Sequence, residues 1–359
     1  MLFMHNIGKK EFLQAIGMGI VHTFFSLFVI LSSIWLGLAV WIQQPGGWLI
    51  SRLIIAIWAI FSLSVLGIYF SQSIFSRAKD ITIYIVVFIL SLFWYFHIPA
   101  QQNRDWNPEV ARIFSSEQQG DQITIHNVRN FNWHSESQYD QRWETRHYNL
   151  KHITGVNIIT SYWMGPQIAH TLVSFNFSDQ KPLVFSIEIR KEKTEDFSAI
   201  GGFFRQFELS LIASDEKDIV YTRSNIRGEQ VYFFPINMPK EEMQALFLEY
   251  LEKSKELAQQ PRWYNTLTSN CTTLVFDMIQ AISKKELPTD YRLLASGYLP
   301  NYLYDLGALS HQWSMQEWYQ KAHINPKTEN FKQFKQQDSL SYSHLIRSGL
   351  PEGKNVPSF

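Results

Sequence analysis

The chain holds one cysteine, Cys271, in 359 residues, and it has no net charge, 32 basic side chains being matched by 32 acidic ones. A lone thiol excludes an internal disulfide framework and any zinc or iron–sulfur site that needs several cysteines. Charge balance argues against a nucleic-acid partner, which requires clustered excess positive charge to meet phosphates. HExxH, P-loop and GxSxG patterns are missing, and the Gly17-Met18-Gly19 triplet lies inside an apolar run. Nothing here asks for a metal or a cofactor. Charge is also scarce locally: before Ala100 there are only Lys9, Lys10, Glu11, Arg52, Arg77, Lys79 and Asp80. The other 57 charged residues follow, roughly 22% of the remainder, as in an ordinary soluble domain. The average therefore hides two polymers, an apolar segment 1–100 and a water-soluble domain 101–359.

What fills the first segment is hydrocarbon. Uncharged runs lie between Glu11 and Arg52, between Arg52 and Arg77, and between Asp80 and Arg104. Each holds at least about 18 apolar residues, enough for a helix to cross a bilayer. Gln43 to Gly47 and Ser71 to Asp80 supply the two connections. A cleavable signal peptide is the alternative for the first run alone, and three successive runs argue against it. Lys9, Lys10, Arg77 and Lys79 outnumber Arg52, so retention of positive charge in the cytoplasm places the N-terminus inside. Everything after Ala100 then lies outside the cytoplasm. Trp94, Tyr95, Phe96 and Trp106 suit an interfacial belt.

In the outer domain, alternation predicts strands over 123–131, 142–150, 156–163, 168–177 and 183–190, with short ones at 219–221 and 230–234. The fourth and fifth make a hairpin across Ser178 to Pro182. Helices are predicted over 241–257 and 272–282 from apolar residues at helical spacing. Strands followed by helices indicate an α+β domain.

Ser269 or Asn270 is a suitable cap for the second helix, which puts Cys271 in its first turn. Free amides and the helix dipole there favour an anion, lower a thiol's pKa and offer donors to an oxyanion. The polar neighbours argue against a core thiol, but position alone leaves the two readings level. A thiolate nucleophile needs a histidine. Of the 11 histidines, His5 lies in the N-terminal tail, and His22 and His97 are in or beside the spans. His126, His134, His147, His152, His311, His323 and His344 have polar surroundings. His170 interrupts an apolar strand. If even positions pair with even ones across the hairpin, it shares a face with Ser186, Glu188 and Arg190. An ordinary strand histidine beside a surface Glu–Arg pair fits that pattern too.

The outer domain resembles the family named after the N-terminal periplasmic domain of Lnb, a lipoprotein N-acyltransferase. The stretches that carry the resemblance are Asp105 to Ala111, His126 to Phe131, Arg142 to Arg146, Ser161 to Trp163, Ile168 to Thr171, Ser186 to Glu192, Gly201 to Gln206, Trp263 to Asn265 and Asn270 to Thr273. The resemblance implies a circularly permuted papain-like fold, similar to NlpC-type and lecithin–retinol acyltransferase-like enzymes, with the histidine strand before the cysteine helix. It implies Cys271 as nucleophile, His170 as base and Glu188 as orienter, without metal or cofactor. Asn270, Thr272, Tyr162, Trp163 and Tyr264 become candidates for substrate or oxyanion contacts. The implied substrates are membrane lipids and lipoproteins: an acyl chain passes through a Cys271 thioester to an amine, leaving a lyso-form lipoprotein. A thiol peptidase or amidase on envelope peptides, and a non-enzymatic binding module, are the competing readings. Trp106, Trp133, Trp143, Tyr162, Trp163, Trp263 and Tyr264 are candidates for an acyl groove, or simply for core.

Overall fold

The computed structural model describes residues 9–284, 286–331 and 339–356, and His5 lies outside them. The chain divides into two compact units, Met1–Pro99 with Phe204–Gln206, and Ala100–Phe203 with Phe207–Phe359.

The first unit contains α1 (Lys9–Gln43), α2 (Trp48–Ser71) and α3 (Arg77–Phe96), all long and apolar enough to cross a membrane. A helix satisfies its own backbone, which a lipid environment demands. Gly46 lets α1 turn into α2: its φ is +76°, and a Cβ there would stand 2.9 Å from Ile50. Hydroxyls join the helices inside the bundle, with Tyr84 Oη 2.8 Å from Ser32 Oγ and 3.1 Å from Ser33 Oγ. His22 Nδ1 meets Tyr69 Oη at 2.8 Å. Such bonds hold helices together where no hydrophobic drive separates lipid from protein. At the helix ends, Gln43 Nε2 donates to the carbonyls of Phe204 and Arg205, and Arg205 Nη1 donates to those of Tyr95, Phe96 and Ile98. Carbonyls that a helix terminus leaves without partners are thereby satisfied.

The second unit is a mixed α/β domain. Its strands are β1 (Ser115–Gln119), β2 (Gln122–Arg129), β3 (Asn132–Trp133), β4 (Tyr139–Asp140), β5 (Trp143–Asn149), β6 (Ile153–Tyr162), β7 (Ala169–Phe177), β8 (Leu183–Arg190), β9 (Glu208–Ser214) and β10 (Gln230–Ile236). The helices are α4 (Glu216–Tyr221), α5 (Lys240–Gln259), α6 (Cys271–Ile282), α7 (Leu299–Asp305), α8 (Met315–Ala322), α9 (Asn325–Thr328) and α10 (Ser339–Arg347). The main sheet runs β1-β2-β9-β8-β7-β6-β10, with β5 also on β2. Odd positions of β7 and β8, among them Val173, Phe175, Phe185 and Ile187, pack with Leu246, Phe247 and Tyr250 of α5 and with Val275 and Met278 of α6. Even positions Leu172 and Val184 pack on the other face with Ile219, Val220, Tyr342 and Ile346. Burial on both faces explains why apolar residues occupy both odd and even positions of these strands.

The predicted hairpin and both predicted helices are present, but residues 219–221 are helical rather than extended. Asp215 caps α4 by accepting from Lys217 N, and Ile219, Val220 and Tyr221 are all buried. A short apolar run buried all round has no period to separate helix from strand. Strand β9, at the sheet's centre, and the tail helices α7 to α10 carried no sequence signal that the reading used.

One buried ion pair ties this domain together. Asp218 accepts from Arg129 Nε and Nη2 (2.9 and 3.1 Å), from Phe131 N (2.8 Å) and from Trp133 Nε1 (2.8 Å). Replacing Asp218 by alanine strands a buried guanidinium, which costs about 3–5 kcal/mol. For a domain of this size, thermal unfolding of the full chain in detergent should show the outer domain melting about 10 °C lower. A decrease under about 3 °C would remove Arg129–Asp218 from this role.

Candidate thiol site

The loop ahead of α6 is built to present a thiol. Asn265 Oδ1 accepts from Leu267 N and Thr268 N, which turns the chain toward the helix. Asn270 then caps it: its Oδ1 accepts from Thr272 N (2.8 Å) and Thr273 N (2.9 Å), while Thr273 Oγ1 accepts from Asn270 N. Of the two expected caps, Asn270 is the one used. Cys271 is therefore the first residue of α6, a free and buried thiol at the positive end of the helix.

Strands β7 and β8 bring the histidine to it. Their ladder pairs Leu172 with Ser186 and runs on to Phe175 with Leu183, so even positions face even positions. Continued by two residues, the same register sets His170 opposite Glu188, just past the last paired rung. His170 Nε2 lies 2.8 Å from Ser186 Oγ and 3.2 Å from Glu188 Oε1. Ser186 donates its own proton to Glu188 Oε1 (2.7 Å), so its lone pair accepts from His170 Nε2–H. The ring's other nitrogen is left for Cys271, whose thiol lies close enough for the imidazolium charge to act on it.

Behind Glu188 stands a residue that sequence reasoning missed. Arg223 Nη2 donates to Glu188 Oε1 (2.8 Å), and Arg223 Nη1 donates to Glu229 Oε2 (3.2 Å). Glu229 also accepts from Ser161 Oγ. Arg223 sits in a π-helical turn, Thr222–Ile226, which continues α4. With 219–221 read as a strand, nothing in the sequence aimed this arginine at the site. A basic residue within the run Ile219 to Ile226 was the available clue, because a charge next to buried apolar residues needs a partner.

Charge alternates through this group, and the pKa shifts follow. Burial pushes the Cys271 thiol up, but the His170 cation and its hydrogen bond outweigh burial and bring the thiol below its ordinary value. Burial and Arg223 pull His170 down, but Glu188 and Cys271 raise it to about 9. Glu188 is held well below the usual carboxylate range, His170 and Arg223 overcoming its desolvation. Both shifts favour the thiolate–imidazolium pair over the neutral one.

The remaining candidate residues fall into two groups. Tyr264 is close enough to Cys271 and Glu188 for their negative charge, added to burial, to raise its phenol. Thr272 Oγ1 lies 3.0 Å from Thr171 Oγ1 and 4.0 Å from the sulfur. The Asn270 side chain is spent on the cap, its Nδ2 donating to Thr266 O. Tyr162 and Trp163 line a different space, a cavity of about 720 Å³ walled also by Arg227, Glu229, Tyr232, Tyr298 and Tyr319. Cys271 and His170 do not line it, but Glu229 belongs to both cavity and charge chain. A smaller apolar cavity of about 130 Å³ lies along α6 at Thr272, Val275, Phe276 and Ile279. Arg190, expected on the histidine's face, instead donates to the carbonyls of Val110 and Ala111. Trp106 and Trp133 are buried core. His126, His134 and His152 meet Glu117, Asp140 and Asp179 at the surface. Among the described residues no group of three or more His, Cys, Asp or Glu could hold a metal ion.

The charge pattern fixes a pH signature. The rate of Cys271 alkylation by iodoacetamide should inflect below the ordinary thiol value. In His170→Ala the largest influence opposing burial is lost, and the inflexion should move up. An unmoved inflexion would disprove the pairing.

Two comparisons with known proteins, one with curated sequences and one with solved structures, find no match. Residues 139–297 match the family model described as the Lnb N-terminal periplasmic domain. That stretch contains Ser161, His170, Ser186, Glu188, Arg223, Glu229 and Cys271, so the whole charge chain lies inside it. Residues 139–297, which follow three membrane-span-like helices in the chain, are thus similar to the Lnb N-terminal periplasmic domain family.

Proposed function

We propose that the protein is a membrane-anchored, cysteine-dependent acyltransferase of the bacterial inner membrane, its N-terminus cytoplasmic and its outer domain periplasmic. The observation that carries this reading is the placement of Cys271 at a helix start against His170, whose far nitrogen is held by Ser186 and Glu188. In chain order the histidine strand comes first, then the carboxylate, then the cysteine helix, the order of a circularly permuted papain-like enzyme.

The thiolate attacks the ester carbonyl carbon of a lipid or diacylglyceryl lipoprotein. Thr272 N and Thr273 N are engaged by Asn270, which makes Cys271 N–H the helix amide suited to the oxyanion. As the tetrahedral adduct collapses, the ester C–O bond breaks and His170 gives its proton to the departing alkoxide. A Cys271 acyl-thioester and a lyso-product remain. An amine then attacks the thioester, His170 takes the proton released, the amide forms and the thiolate returns. Glu188 and Arg223 keep the imidazole oriented through both halves and do not touch substrate.

A second reading, a thiol amidase on envelope peptides, rests on the larger cavity, whose charged Arg227 and Glu229 suit a polar ligand better than an acyl chain. The two differ in what accumulates. With diacyl lipid or lipopeptide in the bilayer and no amine acceptor, intact mass of the full chain should show one acyl group on Cys271, released by neutral hydroxylamine. His170→Ala should acylate at least about 100-fold more slowly. An unmodified Cys271 after incubation with such lipids, together with cleavage of envelope peptides, would favour the amidase.

A further inference from the structure

Outside the membrane unit, the exposed large hydrophobic side chains among the described residues are few and are not scattered. They are Trp163, Met164, Ile168, Phe197, Ile200, Phe203, Leu267, Tyr291, Leu294 and Leu340. All but Leu340 fall in four segments, 163–168, 197–203, 264–270 and 291–298. These segments hold one charged residue, Arg292, where the composition of the domain predicts about six. Arg292 is turned onto Asp290 and Asp305.

The four segments form one rim. The rings of Trp163 and Phe197 meet edge to face with centroids 6.3 Å apart. Thr266 N donates to Gly202 O (3.2 Å), and Gly297 N donates to Gln167 O (3.0 Å). The last contact is close: a Cβ on Gly297 would lie 2.1 Å from Pro166 O, so only glycine fits. Two of the segments lead directly into the thiol site, 163–168 running into His170 and 264–270 into Cys271. Segment 197–203 is bonded directly to Phe204, and Phe204–Gln206 belong to the compact unit that contains the membrane-span-like helices.

From this we infer that the rim is a bilayer-docking surface, inserted in the interfacial layer of the membrane that the chain's own helices cross, and that lipid reaches Cys271 through it. The proposal deepens the acyltransferase reading and rests on it for the choice of ligand. A contiguous apolar patch on a soluble domain marks a binding surface. Its near-absence of charge, with Trp and Phe at the tips, matches the hydrocarbon–headgroup boundary, where apolar side chains insert by about 5–10 Å. A protein partner would leave the choice of loops unexplained, whereas a bilayer explains why the rim includes the segment that enters the helical unit.

The test reads immersion without requiring catalysis. The full chain with Cys271→Ser would carry a single nitroxide at Ile200→Cys or Leu267→Cys, in nanodiscs of phosphatidylethanolamine and phosphatidylglycerol. Gln118→Cys on an exposed strand serves as the aqueous control, and Leu63→Cys on α2 as the immersed one. Labels at 200 and 267 are expected to relax with oxygen in preference to a water-soluble nickel chelate, as at 63 and opposite to 118. Chelate access at both positions equal to that at 118 would overturn the inference. A second arm uses Ile200→Asp/Leu267→Asp with Cys271 intact. Acylation by bilayer lipid should fall at least ten-fold while acylation by a water-soluble short-chain thioester is unchanged. Equal effects on the two donors, or none on either, would contradict bilayer entry. If wild type reacts with neither donor, the thiol-enzyme reading fails, and the spin-label result still decides the docking.

Discussion

Glu188 and Arg223 are the contact on which the site depends. From Glu229 through Arg223, Glu188 and His170 to Cys271, five ionisable groups alternate in sign within a nearly dry part of the domain. Buried charges are stable only when paired, and removing one member leaves its neighbours uncompensated. Arg223 occupies the middle of that chain. It offsets the cost of a buried Glu188 carboxylate, which in turn makes a protonated His170 favourable, which then lowers the thiol. The helix dipole adds to the same result but acts only on the last member. A lowered thiol pKa in a buried site is thus the outcome of an ordered set of pairings drawn from separate segments of the domain.

The backbone explains why these elements meet. The β7–β8 ladder pairs Leu172 with Ser186 and ends there, and the unpaired ends give α6 room to bring its first residue to the histidine. Apolar residues on alternate positions pin the register from both faces, because a slip by one residue would carry His170 and Glu188 to the opposite side of the sheet. Packing in the core therefore sets the geometry of the reacting groups.

Part of this was legible in the sequence. Three uncharged runs give the helices, since length and lack of charge are read directly. The hairpin and the capped helix at Cys271 follow from alternation and from Asn270, and the even-to-even pairing makes His170 and Glu188 neighbours. What could not be read has a common cause. Residues 219–221 are buried on every side, so they lack a period, and the arginine that follows lost its context with them. Strand β9 is buried on both faces, so Ile212 interrupts the alternation of Leu209, Leu211 and Ala213 with Glu208, Ser210 and Ser214. Asn270 was legible as a cap or as an oxyanion donor, and only the bond geometry shows its oxygen committed to Thr272 and Thr273. The exposed apolar side chains are spread over four separate segments, and the fold alone makes them a surface.

The proposed function turns on whether Cys271 transfers acyl chains in the membrane. A mass comparison of membrane lipids and lipoproteins from cells carrying wild type or Cys271→Ala, expressed to equal levels, tests it most directly. Transfer predicts that lipoproteins with an N-terminal acyl amide and one fewer ester-linked chain, or the equivalent lyso-lipids, depend on the intact thiol. Identical lipid and lipoprotein masses in the two strains would contradict it.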